Sequence, residues 1–233
     1  MTQKSFFLKK HLEEIPLTAY FHFENNYSIE YMEVHHNRVI RFSEEAGDIL
    51  PDQPLSEMNE LSKEDFITEE DFRTVWNDSN LDEIVRFIPF GDIFTISGVT
   101  SYAHGCNCVG AMGAGIAVQF KRRFPEMYTL YHKMCKHGTF LPGDVFDYHY
   151  GSGHVYNLGT QESWKTSAKL EYIAIAIDRM LELAERCQVP AIALPAIGAG
   201  LGGLKWHDVK AVIKNAAKFH PKVTLYVVES YRP

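Results

Sequence analysis

The spacing of hydrophobic positions divides this chain into two regions with different periodicities. Between residues 18 and 42, apolar and polar side chains alternate in short runs, and Asn25-Asn26 and His36-Asn37 separate these runs as turn residues. Alternation with a period of two is typical of half-buried strands, so the region predicts a small antiparallel meander. Residues 43–63 are acidic and contain glycine and proline, which predicts a loop.

A short helix is predicted after this loop. Thr68 precedes an acidic turn that ends at Asp71, and Phe72, Val75 and Trp76 follow at helical spacing. A threonine followed three residues later by an acid marks a helix N-terminus, because each side chain can accept a hydrogen bond from the other's backbone N–H. Together with the meander, this helix predicts a small acidic α+β module over residues 1–83, in which we find no motif that carries chemistry.

From residue 84 onwards, apolar runs that predict strands alternate with segments of helical periodicity. The run 189–194 is wholly apolar, as expected for a central strand covered on both faces. This alternation predicts an α/β fold over residues 84–233, with three α/β/α layers around a mostly parallel mixed sheet. The predicted strands are 85–90, 99–103, 145–149, 154–158, 189–194 and 223–228, and the predicted helices follow residues 116 and 125, span 167–187 and include 209–216.

Two glycine-rich loops each follow a predicted strand and open a predicted helix. The first, residues 110–117, reads Gly-Ala-Met-Gly-Ala-Gly-Ile-Ala, and the second, residues 198–203, reads Gly-Ala-Gly-Leu-Gly-Gly. Such a junction directs backbone N–H groups and the positive end of a helix toward one place, and glycine allows a ligand to approach the backbone closely. Two such loops in one domain predict two clamps on one extended anion, most naturally a diphosphate.

The second loop also matches the glycine spacing of a dinucleotide-binding fingerprint, through Gly198, Gly200 and Gly203. Only one predicted strand follows it, which leaves no room for the second half of a dinucleotide-binding fold. The chain also lacks the Gly-Lys-Ser/Thr segment of a P-loop. These observations disfavour a dehydrogenase and a P-loop NTPase.

Charge and cysteine content narrow the class of protein. Residues 1–85 carry 19 acidic and 7 basic side chains, whereas residues 86–233 carry 11 acidic and 16 basic ones. The basic part suits an anionic ligand, and the acidic part argues against non-specific DNA binding. The four cysteines have no regular spacing, which favours reduced thiols. We find neither an apolar run of membrane-spanning length nor a signal-peptide pattern at the N-terminus. These features predict a cytoplasmic protein that does not act at a membrane.

His104, Cys106 and Cys108 alternate at the end of a predicted strand and therefore share one face. Three soft ligands can bind zinc, and a cysteine beside a histidine can act as a nucleophile with its base, but cysteines at such positions are more often small buried hydrophobes. We therefore expect no metal and no cofactor. His104, beside the first loop, is a candidate for a polar contact or proton transfer to a ligand. A structural histidine is the alternative interpretation.

Three segments, in this order, resemble the macro domain family. They are Gly91-Asp92-Ile93-Phe94, the run Ala-His-Gly-Cys-Asn-Cys-Val-Gly-Ala-Met-Gly-Ala-Gly-Ile-Ala at 103–117, and Pro-Ala-Ile-Gly-Ala-Gly-Leu-Gly-Gly-Leu-Lys-Trp at 195–206. The likeness covers roughly residues 84–230. It points to the branch that contains ADP-ribose-1″-phosphate phosphatases, terminal ADP-ribose-protein glycohydrolases and antitoxins that remove ADP-ribose from DNA.

The resemblance implies a site for ADP-ribose. Asp92 would accept a hydrogen bond from the adenine amino group, the backbone of Ile93 would lie beside it, and Asn107 would lie at the distal ribose. The end of the last strand would border the adenine. The other implied binding residues are Gly113, Ala114, Gly115, Ile116 and Ala117 on one side of the diphosphate, Ile197, Gly198, Ala199, Gly200, Leu201, Gly202 and Gly203 on its other side, and Thr160.

Catalytic roles implied by the resemblance fall on His104, Asn107 and Gln161. Glycohydrolases of this branch use a lysine where this chain has Gln161, and some use an aspartate where it has Gly202. Glutamine can orient a water molecule, but it can neither form a lysyl adduct nor act as a general base. Lys165 lies close by in sequence and is a second candidate for the lysine's role, although an exposed loop lysine is the simpler interpretation.

Two functions therefore remain open at the level of sequence. The first is an enzyme that hydrolyses an ADP-ribosyl linkage at C1″ of the distal ribose, with water placed by polar residues near the first loop. The second is a non-catalytic reader in which residues 1–82 contact the partner. The expected partners are ADP-ribose or an ADP-ribosylated protein or nucleic acid.

Overall fold

The computed structural model of the protein describes residues 4–12, 16–58 and 61–233. The chain forms two compact units, Met1–Ile84 and Val85–Pro233, and each unit has a sheet of its own. Within the described residues, no helix combines the length and the apolar character needed to cross a lipid bilayer.

Among its described residues, the first unit has a six-stranded sheet, one α-helix and two short 3-10 helices. Its elements are β1 (Ser5–Leu12), β2 (Leu17–Glu24), β3 (Tyr27–His35), β4 (Arg38–Ser43), β5 (Phe66–Ile67), α1 (Glu69–Trp76) and β6 (Asp82–Glu83). Strands β1 to β4 pair as antiparallel neighbours, and β5 and β6 form the two edges of the sheet. Asn25 and His36 adopt left-handed backbone conformations, with φ of 59° and 58°, at the two turns that join β2, β3 and β4.

The predicted meander is confirmed by β2, β3 and β4, and the predicted helix is confirmed by α1. Thr68 caps this helix in the expected reciprocal way, since its side chain accepts from the N–H of Asp71 and the Asp71 carboxylate accepts from the N–H of Thr68. Phe72 of α1 is fully buried against Phe7 and Met32 of the sheet. Strand β1 was not predicted, because its apolar residues are consecutive and do not alternate with polar ones.

The second unit contains a six-stranded mixed sheet and four α-helices. Its strand order is β7-β12-β11-β8-β10-β9, with every neighbouring pair parallel except β10 and β9. This arrangement confirms the predicted mostly parallel mixed sheet. The elements are β7 (Val85–Gly91), β8 (Ser101–Asn107), α2 (Ala117–Arg123), α3 (Pro125–Lys136), β9 (Val145–His149), β10 (His154–Gln161), α4 (Leu170–Arg186), β11 (Ala191–Pro195), α5 (Trp206–Ala217) and β12 (Thr224–Tyr231).

Helices cover both faces of this sheet, which confirms the predicted three layers. Phe120 of α2 and Met127 of α3 pack on one face, in a cluster that includes Val155 of β10. The next residue along β10, Tyr156, points to the opposite face, where α4 packs on β10 and on α5. The sheet is therefore buried on both sides, as parallel sheets require.

Strand β8 differs most from its predicted bounds. It was predicted to span 99–103, but it runs from Ser101 to Asn107. The polar residues His104 and Asn107 and the flexible Gly105 hid its second half from a search for apolar runs. In the structure β8 lies between β11 and β10, and its ladder carries these residues to the edge of the sheet where both glycine loops begin.

Candidate functional site

A cleft of about 700 Å³ opens beyond the carboxyl ends of β8, β10 and β11. Its volume falls within the range of roughly 300–1,000 Å³ that is typical of small-molecule sites. Ligands of open α/β sheets bind at this edge. The residues that line the cleft are Gly105, Cys106, Asn107, Ala111, Gly113, Ala114, Gly115, Ile116, Ala117, Thr160, Gln161, Trp164, Pro195, Ala196, Ile197, Gly198, Gly200, Leu201 and Gly202.

The first glycine loop is held in shape by Asn107. The Oδ1 atom of Asn107 accepts hydrogen bonds from the N–H groups of Val109 and Ala111, both at 3.1 Å, and its Nδ2 donates to the Ala111 carbonyl at 2.8 Å. The hydroxyl of the buried Tyr131 donates to the Asn107 carbonyl. Because its amide is engaged in this way, Asn107 fixes the path of the loop directly after β8.

The second glycine loop is tightly packed at its ends. Gly198 has a φ of +71°, and a Cβ atom there would lie 2.5 Å from Cδ1 of Ile173 in α4. A Cβ atom at Gly202 would lie 2.5 Å from the carbonyl oxygen of Gly198. Such distances are too short for any side chain, so these two positions need glycine for the loop to form.

The two loops meet across the cleft. Leu201, which is 79% exposed, places its Cδ1 atom 3.4 Å from the Cβ position of Gly115 in the first loop. Gly113 and Gly200 are different from the packed glycines, because a Cβ atom at either position meets nothing within 4 Å and neither has a positive φ. They therefore keep the middle of the cleft open.

Several backbone N–H groups in both loops have no acceptor within the protein. Among the described residues, no hydrogen bond is donated by the N–H groups of residues 113–116 or of residues 200–202. Gly202 is buried, and a buried N–H without an acceptor is rare in folded proteins. Two sets of free donors on opposite sides of one cleft suit an anion with two charged groups.

Most of the residues predicted to bind a ligand line this cleft. Asn107, Thr160 and Gln161 lie together at the ends of β8 and β10, and both glycine loops contribute as expected. Ala199 and Gly203 belong to the second loop but do not line the cleft.

Asp92 and Ile93 also lie outside the cleft lining, at the turn that follows β7. Oδ1 of Asp92 accepts a hydrogen bond from the N–H of Phe94 at 2.9 Å, and its other oxygen is 3.8 Å from Nη2 of Arg123. Their role at an adenine stays a prediction.

His104 lies beneath α2 and does not line the cleft. Its side chain is fully buried, its ring stacks on Phe120 at 3.8 Å, and its Nε2 atom lies 3.0 Å from Oδ1 of Asn157. Burial lowers the pKa of His104 to about 4, so the ring is neutral at physiological pH. These contacts, and the absence of His104 from the cleft lining, favour the alternative interpretation as a structural histidine. A role of His104 on a ligand stays a prediction.

Cys106 lies on the floor of the cleft but is not activated. It is 4% exposed, and burial raises the pKa of its thiol well above the usual range. A nucleophilic cysteine needs a lowered pKa. Cys106 therefore fits the interpretation as a small buried hydrophobe. Among the described residues, the ligand atoms of His104, Cys106 and Cys108 do not converge into a metal site.

Trp164 is the cleft residue that sequence reasoning missed most clearly. It follows β10, is 64% exposed and has the Nζ atom of Lys165 at 5.1 Å from its ring centroid. Gln161 lies nearby, and its Nε2 atom donates to the carbonyl of Ser163 at 2.9 Å. The sequence did offer a signal, because Trp164 stands in a polar segment and fits no helix or strand periodicity. Exposed aromatic residues of this kind are typical of binding surfaces.

The cleft lining is almost free of ionisable side chains. Within the described residues, Cys106 is the only group of that kind among those that line it. Charge on a bound ligand must therefore be balanced by backbone dipoles and by groups outside the lining. The site is built to hold and position a ligand, and its polar side chains can orient water.

Known proteins with similar sequences and folds are macro domains or contain one. A family model described as Macro domain matches residues 103–213. The chain is 39% identical over 121 residues to a DNA ADP-ribosyl glycohydrolase of Mycobacterium tuberculosis and 35% identical over 135 residues to one of Thermus aquaticus, which covers 50% and 56% of this chain. It spans only 34% and 38% of the lengths of these curated relatives. The solved macrodomain of Mycobacterium tuberculosis DarG superposes with a TM-score of 0.58 at 33% identity, over 64% of this chain and 97% of that one.

Proposed function

Because this chain belongs to the macro domain family, we propose that its cleft binds ADP-ribose and that the protein hydrolyses ADP-ribosyl linkages at C1″ of the distal ribose. The observation that carries the proposal is the pair of loops with free backbone donors on either side of one cleft. A diphosphate between the loops would accept hydrogen bonds from both sets of N–H groups. Gly113 and Gly200 leave the space that its oxygen atoms need.

The adenine end of the ligand is proposed to lie near Asp92 and the end of β12. The hydroxyl of Tyr231 is buried there and has no hydrogen-bond partner among the described residues. Burial and then the nearby Asp92 carboxylate raise the pKa of Tyr231, so this hydroxyl is a neutral donor close to Asp92. Two polar groups without full pairing at this edge support recognition of a polar ring or of its ribose.

The distal ribose is proposed to lie at Asn107, Thr160 and Gln161. Among the described residues, no hydrogen bond reaches Oε1 of Gln161, so this atom can accept one from a water molecule. Departure of the carrier from C1″ builds positive charge on the ribose, which the adjacent diphosphate stabilises. The carrier leaves with the electron pair of the broken bond, water held by Gln161 adds to C1″, and the proton that this water loses passes to the carrier. The water therefore needs positioning more than prior deprotonation.

The proposed carriers are ADP-ribosylated nucleic acid and protein. The relatives in Mycobacterium tuberculosis and Thermus aquaticus are named for DNA carriers. Trp164 borders the proposed distal end and exposes its ring, and an exposed tryptophan can stack on a nucleobase. Lys165 beside it offers a positive charge to a phosphate of the carrier.

A non-catalytic reader is the second candidate, and one specific observation favours it. The described cleft lining offers no general acid or base apart from a buried thiol. Position 161, where the family resemblance implies a lysine in glycohydrolases, holds glutamine. A site of this composition can bind ADP-ribose without breaking any bond.

The experiment that separates the two candidates combines calorimetry with turnover. The full chain is titrated with ADP-ribose and then incubated with ADP-ribosylated DNA, ADP-ribosylated protein and ADP-ribose-1″-phosphate. For the enzyme we expect binding and release of product from at least one carrier, with release slowed by roughly 100-fold in Gln161→Ala. Binding without release from any of the three leaves the reader, and an absence of binding overturns both candidates.

A matched variant sharpens this test. Gln161→Lys restores the residue that the resemblance implies at this position, and Ser163→Lys places the same charge two residues away. If C1″ lies at residue 161, only Gln161→Lys is expected to raise the rate of release. Equal rates in both variants would move the proposed distal ribose away from Gln161.

A further inference from the structure

A carboxylate, an imidazole and a thiol converge at the edge of the sheet opposite the cleft. Asp147 is in β9, His154 begins β10, and Cys187 caps the C-terminal end of α4. One candidate ligand atom from each residue lies within 4.8 Å of the other two. The cleft lies at the other end of β10, at Thr160 and Gln161, so the length of this strand separates the cluster from the cleft.

The register of the β9–β10 hairpin explains why these side chains meet. His154 is paired with His149, and Tyr156 is paired with Asp147, so all four side chains lie on the same face of the hairpin. That face is the one on which α4 packs, and Cys187 follows the last turn of this helix. The fold thus brings Cys187, at the end of α4, next to two residues of one hairpin, Asp147 and His154.

The hydroxyl of Tyr156 gives an independent indication of a ligand. Tyr156 is fully buried, and its hydroxyl has no hydrogen-bond partner among the described residues. Its ring lies nearly parallel to that of His154, at 5.7 Å and 8°. Tyr156 is also the direct cross-strand partner of Asp147, so its side chain lies beside two of the three residues. Buried hydroxyls are almost always paired, so this one lacks a component of its site.

We propose that Asp147, His154 and Cys187 form a zinc-binding site that is separate from the cleft. Thiolate, imidazole and carboxylate are the donors that zinc combines in tetrahedral sites. Three protein ligands leave a fourth position for water or for His149, whose ring centroid is 4.9 Å from that of His154. Water bound to the metal at this fourth position would give the Tyr156 hydroxyl the partner that it lacks, an outer contact that orients the bound water.

A simple ion pair explains less of this arrangement. Oδ1 of Asp147 lies 2.8 Å from Nδ1 of His154, which a hydrogen bond alone would account for. It would account neither for the thiol beside the pair nor for the unpaired Tyr156 hydroxyl. The chain contains a natural control in His207 and Asp208, an exposed pair at 3.1 Å that belongs to no described ligand cluster.

The test uses cobalt(II) as a spectroscopic probe on the full chain under reducing conditions, with zinc as competitor. We expect one equivalent of cobalt with thiolate-to-metal charge-transfer absorption that zinc removes. Cys187→Ser should abolish this absorption, and Asp147→Asn and His154→Gln should each weaken binding at least tenfold. His207→Gln and Cys135→Ser should leave both signals unchanged.

Tyr156→Phe provides a second readout that a structural role would not produce. In metal-free protein, removal of an unpaired buried hydroxyl should leave the melting temperature unchanged or higher. Affinity for cobalt should fall by about tenfold, because an outer-contact donor is lost. Wild-type protein that binds cobalt no better than Cys187→Ser, or absorption that persists in Cys187→Ser, would overturn the proposal.

Discussion

The glycines of the two loops serve two different purposes at the scale of single residues. Gly198 and Gly202 have no room for a Cβ atom, whereas Gly113 and Gly200 face open space. The sequence alone shows only that each position is glycine. The distinction depends on Ile173 of α4 and on the carbonyl of Gly198, which come close only in the folded chain.

Gly200→Glu is expected to remove ADP-ribose binding while the fold remains intact. A carboxylate would enter the place proposed for the diphosphate, where bulk and like charge both oppose the ligand. We expect the Kd measured by calorimetry to rise by roughly 100-fold, about 2.7 kcal/mol. The free energy of unfolding should change by less than about 0.5 kcal/mol, because a Cβ atom at this position meets nothing within 4 Å and the backbone has no positive φ.

Phe219→Glu is the control for added charge. This position follows α5, is 70% exposed and lies outside the cleft lining. The Phe219→Glu variant should bind ADP-ribose with the Kd of the unmodified protein. Unchanged affinity in Gly200→Glu would refute the placement of the diphosphate between the loops.

His104 makes stability depend on pH. Its pKa of about 4 in the folded state lies below the value of about 6.5 expected in the unfolded chain, so protons bind preferentially to the unfolded state between these values. The contribution of this histidine to the free energy of unfolding is complete above about pH 6.5 and is lost as the pH falls toward 4. The loss approaches about 3 kcal/mol.

Chemical denaturation at pH 7, 5.5 and 4.5 would measure this effect as the difference between the unmodified chain and His104→Gln. The difference should shrink as the pH falls, since glutamine does not titrate. ADP-ribose affinity at pH 7 should stay within about twofold of the unmodified value, because His104 does not line the cleft. A tenfold loss of affinity would restore His104 to the site.

At the scale of elements, apolar periodicity predicts most of the second unit. The strands and helices occur in the expected order, and the hairpin of β9 and β10 and the break before α3 at Pro125 are both present. The prediction failed for the second half of β8. Its residues are buried because neighbouring strands and α2 enclose them, although several of them are polar. Periodicity cannot detect a polar residue that its neighbours enclose.

The second glycine loop should respond sharply to one methyl group. Gly202→Ala would place Cβ 2.5 Å from the Gly198 carbonyl and 2.9 Å from Cβ of Ala168, so the loop must shift. We expect a loss of about 1–3 kcal/mol in the free energy of unfolding, together with weaker ADP-ribose binding. Gly113→Ala, which meets nothing within 4 Å, should keep the stability of the unmodified chain. Denaturant titration of both variants measures the contrast, and equal stabilities would contradict the described packing.

At the scale of the whole molecule, charge differs strongly between the two parts of the chain. Residues 1–85 carry a net charge of −12 and residues 86–233 a net charge of +5. Sequence composition revealed this difference directly, but it reveals no role for the acidic part. We propose that residues 1–83 form a module whose function is separate from that of the cleft.

A fragment that spans residues 85–233 tests this proposal. It should bind free ADP-ribose with the affinity of the full chain, because every residue of the cleft lining lies within it. On an ADP-ribosylated oligonucleotide at low salt it should bind more tightly than the full chain, since the acidic residues that repel phosphate are gone. The advantage should vanish near 1 M salt, where the screening length is about 3 Å. A fragment that folds but fails to bind ADP-ribose would show that the first module contributes to the site.

A recognition surface made of main-chain amides offers nothing for truncation to remove. Replacing Gly113, Gly200 or Leu201 with alanine changes the side chain and leaves the N–H group of that residue in place, without the clash that a Cβ atom meets at Gly202. Scanning mutagenesis by deletion of side chains would therefore find these positions silent, however much affinity they supply. Loss of binding, in the laboratory or over generations, must come through atoms gained at these positions and not through atoms lost.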